Sequence, residues 1–230
     1  RRRHTRYGTV TGVQTCALPI SVGGSTRLGV FTITSGATVS TGAVTAASIV
    51  QTAGSVASTF GALDTNAAAG VSLTGTAITL NGAVATTNDG TFTVVNSGAL
   101  TVAADMTLAG AFTQSGGGTI ALSADITTDG DAISFTDAVT LGDAVTLTSA
   151  GGNISFDGTV NGAEALTLVA GAGNITLSSA IGGTVRLDVL TITSAADVTT
   201  GAVTAASIVQ TNATGASSYG VLDTNAVAGI

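Results

Sequence analysis

This chain repeats itself on two scales, and that self-similarity limits what it can fold into more than any other feature. Residues 23 to 71 align without a gap to residues 182 to 230, an offset of 182 − 23 = 159, with 33 of 49 positions identical. The block GAVTAASIVQT recurs whole, at Gly42 to Thr52 and at Gly201 to Thr211. A shorter period runs inside this module. Val145 maps to Leu166, Leu147 to Leu168, Asn153 to Asn174, Ile154 to Ile175, Phe156 to Leu177 and Val160 to Ile181, each at an offset of 21. The next copy opens with LTIT at Leu190, an offset of 190 − 166 = 24 from Leu166. Units of this size cannot bury a hydrophobic face alone, but stacked on one another they build a continuous core.

Inside a unit, apolar and polar residues alternate strictly. Val145 and Leu147 flank Thr146, and Ile154 and Phe156 flank Ser155. A period of two means a strand with one face buried and a Thr/Ser face in water. Gly-rich breaks such as SAGGN (149 to 153) and AGAGN (170 to 174) end these runs. Helix is disfavoured throughout, since no stretch holds a 3.6-residue period between caps. The prediction is an all-β parallel β-helix solenoid with coils of roughly 21–24 residues, one repeat to a coil. Nine or ten coils at about 4.8 Å each would give a rod about 45 Å long. Stacking would place Asn153 over Asn174, either as an amide ladder along the axis or as turn residues tolerating left-handed backbone. The expected layout is one full module at 23–181 and part of a second at 182–230. Because the second copy stops in mid-repeat, the chain is expected to be a piece of a longer array.

Composition excludes several classes, once the first twenty residues are set aside. Val10 to Ile20, VTGVQTCALPI, resembles the in-frame translation of a sequencing-library adapter, and RRRHTR at Arg1 to Arg6 resembles the upstream part of it. Residues 1–20 are therefore expected to lie outside the fold. They hold the only Cys (Cys16), the only Pro (Pro19), the only His (His4) and four of the six basic residues. What remains carries Arg27 and Arg186 against 13 acidic residues, 2 − 13 = −11, and no Lys. Such a chain cannot neutralise nucleic-acid phosphates or seek anionic lipid. No cysteine remains for a disulfide, a thiolate metal site or a Cys nucleophile. No apolar run reaches the length of a membrane helix, and seven aromatic residues cannot furnish the girdles of an outer-membrane barrel.

Residues 21 to 230, through AVTLTSAGGNISFDGTVNGAEALTLVAGAGNITL and IGGTVRLDVLTIT, resemble the filamentous-haemagglutinin-like and autotransporter adhesins of Gram-negative and related bacteria. The resemblance implies a right-handed parallel β-helix shaft, secreted and associated with the outer membrane at the cell surface. It implies host or neighbouring-cell glycans or proteins as partners, and stacking on further repeats of the same chain. Nucleic acid and membrane insertion are not expected.

The rival readings need chemistry that the residues supply poorly. A β-helix enzyme acting on carbohydrate would have to use Asp125, Asp129, Asp131, Asp137, Asp143 or Asp157. A lyase also needs a base and cations, and a hydrolase needs two converging carboxylates. Asp129, Asp131, Asp143 and Asp157 fall beside Gly in turns, where Asp is common for backbone reasons. The expectation is no enzyme, no cofactor and no dedicated metal site. DGD at Asp129 to Asp131 and NDG at Asn88 to Gly90 offer hard oxygen ligands for calcium but match no calcium loop. Arg27 and Arg186 occupy equivalent positions and are expected to pair with a local acid such as Asp188. Thr32/Thr34, Thr91/Thr93, Thr146/Thr148 and Thr191/Thr193 resemble the threonine arrays of ice-binding solenoids. Successive first Thr of these pairs are offset by 59, 55 and 45, which argues against a regular lattice.

Overall fold

A computed structural model describes Thr9–Val10, residues 21–227 and residues 229–230. The rest of the segment expected to lie outside the fold falls outside the described residues. Thr9–Val10 form a short strand paired in parallel with Thr32 and Ile33. Every described element is a β-strand, and every pairing is parallel. Alternating short runs of Val, Ile, Leu and Thr separated by Gly-rich turns leave no room for helix, and the fold is the expected parallel β-solenoid.

A coil has three faces, I, II and III in chain order, and through the middle of the rod each face holds one strand. One coil is Phe92–Asn96 on face I, Leu100–Val102 on face II and Met106–Leu108 on face III. The next is Phe112–Ser115, Ile120–Leu122 and Ile126–Thr128, each strand lying on its counterpart. On face I the inward column runs Phe31, Ile49, Val71, Phe92, Phe112, Ile133, Ile154, Ile175, Val198 and Ser217. That is nine coil-to-coil steps, with a mean step in sequence number of (217 − 31)/9 ≈ 20.7. The steps vary from 49 − 31 = 18 at Phe31 to Ile49 up to 198 − 175 = 23 at Ile175 to Val198. Three steps, Phe31 to Ile49, Phe92 to Phe112 and Val198 to Ser217, fall below the range expected from the internal repeats.

The predicted ladder partners meet as expected. Val145 stacks on Leu166, Leu147 on Leu168, Ile154 on Ile175, Phe156 on Leu177 and Val160 on Ile181. Inward residues are fully buried across the middle coils, and one apolar column runs up the axis. All six Phe are buried. Phe92, Phe112, Phe135 and Phe156 form a stack with ring centroids 5.7, 4.9 and 4.8 Å apart. Like residues repeated coil after coil thus give continuous contact along the rod.

The second copy of the module repeats the local pairing of the first, on different faces. Val39 pairs with Ser58 on face II, while their equivalents Val198 and Ser217 pair on face I. Phe31 pairs with Ile49 on face I, but Leu190 pairs with Ile208 above Leu166 on face III. The long strand Val44–Gln51 runs straight through the III–I corner, and its equivalent Val203–Gln210 runs through the II–III corner.

Candidate functional site

The outer surface is built from the residues that alternate with the core. On face I these are Thr32, Val50, Ser72, Thr93, Thr113, Ser134, Ser155, Thr176, Thr199 and Ser218, stacked in register. All but Val50 carry a hydroxyl. Neighbours in such a column lie about 4.8 Å apart, and Ser155 Oγ donates to Ser134 Oγ at 3.0 Å. Counting only Thr-x-Thr pairs hid this regularity. The column is not a Thr-x-Thr lattice, since Ser takes the place of Thr at several coils, Val50 interrupts it and coil lengths differ.

The candidate carboxylates lie at corners of the coils, and four of them, Asp125, Asp137, Asp143 and Asp157, accept hydrogen bonds from this chain. Asp125 Oδ1 accepts the Thr146 N–H at 2.7 Å, and Asp137 Oδ2 accepts from Gln114 Nε2 and the Gly117 N–H, both at 2.8 Å. Asp143 Oδ1 accepts the Ala144 N–H at 2.8 Å. Asp157 lies just past the face I strand Ile154–Phe156, with Ser178 Oγ 3.4 Å from its Oδ1. Asp129 and Asp131 share one turn, which Thr128 closes by donating to the Asp131 carbonyl at 2.5 Å. In NDG, the Asn88 amide donates to the Asn66 carbonyl at 2.8 Å in the coil below. Among the described residues, no three or more His, Cys, Asp or Glu gather in a way that could hold a metal ion.

Both arginines are pinned across coils, not to a sequence neighbour. Arg27 Nη1 donates to the carbonyls of Ala46 (2.8 Å) and Asp64 (2.9 Å), while Nη2 donates to both Asp64 carboxylate oxygens at 2.8 Å. Arg186 repeats this with the Ala205 and Asp223 carbonyls and the Asp223 carboxylate. The expected Arg186–Asp188 pair is therefore corrected to Arg186–Asp223 at 2.7 Å. Stacking is the cause. It brings two carbonyls and a carboxylate from the next two coils within reach of one planar fork of donors, which a residue two places along the chain cannot offer. Arg27→Ala should lower the denaturation midpoint. The half-exposed ion pair itself contributes about 1 kcal/mol at most, with the lost carbonyl bonds adding to this, and Asp188→Asn should leave the midpoint unchanged. Urea titration checks both.

Asn153 does stand beneath Asn174, and its side chain bonds along the axis as the ladder reading expects, though to a backbone N–H and not to the next side-chain amide. Neither residue has a positive φ. Asn153 Oδ1 accepts the Asn174 backbone N–H at 2.8 Å, Asn174 Oδ1 accepts that of Asp197 at 3.1 Å, and Asp197 Oδ1 accepts that of Ala216 at 2.7 Å. A second staircase of the same kind joins Asp105, Asp125 and Thr146. Sequence reasoning also missed a buried polar chain at the I–II corner, where Gln114 Nε2 donates to Asn96 Oδ1 and Asp137 Oδ2. At the last coil Tyr219 donates to Gln210 Oε1, and partial burial raises its pKa.

This arrangement can stiffen a rod and present hydroxyls, and several of its ionisable groups serve the turns and corners. The chain matches no family model, no curated protein and no solved structure.

Proposed function

We propose that this chain is a structural shaft or adhesive repeat region of a large secreted bacterial surface protein, held at the outer face of the cell, and that it does no catalysis. The observation that carries the reading is the unbroken core. Among the described residues, nine steps of parallel pairing and a continuous apolar column leave no lobe or loop cluster of the kind that grafts chemistry onto a scaffold. What such a solenoid offers is length, stiffness and a long hydroxyl-bearing surface. Partners of a hydroxyl-rich, acidic rod without Lys are neutral or cationic surface groups, among them glycans and proteins of other cells. Immobilised chain should retain intact cells or glycan-coated beads, and the unfolded chain should not. Equal retention by both would remove the adhesive half of this reading. A rod shorter than about 40 Å in scattering would remove the shaft.

One observation favours a second reading. The face I hydroxyl column recurs at nearly every coil, which is what ice binding by a solenoid demands. Thermal hysteresis with ice shaping that Thr113→Val and Thr176→Val abolish would establish ice binding. Hysteresis absent at high protein concentration would leave the shaft.

A further inference from the structure

We infer that the repeated module, offset by 159 in sequence, spans seven and two-thirds coils, so that successive modules present the same surface on different sides of the rod. From Phe31 to Ile175 face I advances seven coils. Leu190, the equivalent of Phe31, lies two faces further on, above Leu166 on face III. The other faces agree. Val39 on face II becomes Val198 on face I, and Val44 on face III becomes Val203 on face II. All three shifts are two faces forward, and 159/7⅔ ≈ 20.7 equals the mean step along face I.

The duplicated surface is concrete. The block Gly42 to Thr52 turns Thr45 outward on face III and Val50 and Thr52 outward on face I. Its identical copy turns Thr204 outward on face II and Val209 and Thr211 outward on face III. The Arg27 clamp and the Arg186 clamp move with them. Each module-specific feature recurs about 37 Å along the axis, at about 4.8 Å per coil, and a third of a turn around it. In an array of such modules the direction returns only after three, 3 × 7⅔ = 23 coils. A partner recognising the block therefore meets one site per side, and a bivalent partner whose two sites face the same way cannot hold both copies. This multivalence all round the rod rests on the shaft reading, whereas the rotation itself rests on register alone.

Disulfide trapping tests the register. Ladder partners sit about 4.8 Å apart, within the Cα separation a disulfide accepts. In a Cys16→Ser background, Thr176→Cys should oxidise with Thr199→Cys, its partner on face I. Thr176→Cys should give no bridge with Thr191→Cys, which would lie above it only if the module were a whole number of coils. Thr146→Cys with Thr167→Cys bridges under either arrangement and reports stacking itself. A Thr176–Thr191 bridge, both bridges together, or neither while the control forms would each overturn the rotation. Failure of the control would overturn the stacked shaft and the rotation with it. As a second measurement, binding fragments raised against GAVTAASIVQT should decorate one rod on two sides in electron micrographs. Decoration along a single side would also overturn the rotation.

Discussion

Phe135→Ala is expected to cost the rod about 3–5 kcal/mol, the usual loss for deleting a fully buried ring. Phe135 is fully buried between Phe112 and Phe156, with ring centroids 4.9 and 4.8 Å away. Two aromatic contacts go at once, each adding about 0.5–1.5 kcal/mol beyond area burial. The hole cannot close easily, because the ladders above and below fix the spacing of the coils. Phe135→Leu keeps most of the volume and should lose clearly less. In a rod where each coil touches only its neighbours, the weakness stays local. Amide exchange should rise first between residues 112 and 156, ahead of both ends of the module. Urea denaturation of the two variants gives the magnitude. A loss below about 1 kcal/mol for Phe135→Ala would mean that the ring stack contributes little.

The second large effect is at the junction of the two modules. Gly182 has φ +70°, and a Cβ added there would sit 1.9 Å from the Thr204 carbonyl oxygen. Left-handed backbone alone costs a non-glycine residue about 1–3 kcal/mol. The carbonyl cannot retreat, because Thr204 N–H bonds to Ile181 O at 2.8 Å and Gly182 N–H to Val160 O at 2.7 Å. Gly182→Ala should therefore open the stack at this coil and cost more than the backbone strain alone. It should also create a protease-sensitive site near residue 182. Gly29, whose added Cβ meets nothing within 4 Å, is the control, and Gly29→Ala should stay within about 0.5 kcal/mol of the parent. Limited proteolysis that cuts both variants alike would refute the strain argument. Gly23 stands in the same environment in the first copy, with φ +77° and Thr45 O at 2.1 Å.

Where the sequence repeats locally, the fold is legible in the sequence itself. Period two and the short internal offset placed Val145 on Leu166 and Ile154 on Ile175, because ladder partners in a solenoid are the residues a repeat aligns. Interactions that skip coils were not legible. Asp223 is 37 residues from Arg186, and only the stacking of two intervening turns shows that the guanidinium reaches it. The hydroxyl column escaped notice because steps that change length from coil to coil hide a spatially regular row from any count of fixed spacings. The same variation hid the rotation of the module, since 159 cannot be divided by a coil length that is not constant. The corner acids looked like possible catalysts in the sequence, and hydrogen bonds give several of them structural duties.

The staircases of Asn and Asp carry a polarity. In each step from Asn153 to Ala216, and in each step from Asp105 to Thr146, the earlier coil owns the acceptor and the later coil brings the amide. A finished layer thus already carries the group that greets its successor. Folding in chain order, the polypeptide would zip layer by layer onto a surface whose acceptors are already in place. Built in the reverse order, the seated layer would offer the backbone N–H and the arriving layer the side-chain acceptor, so the group that must find its rotamer would come last.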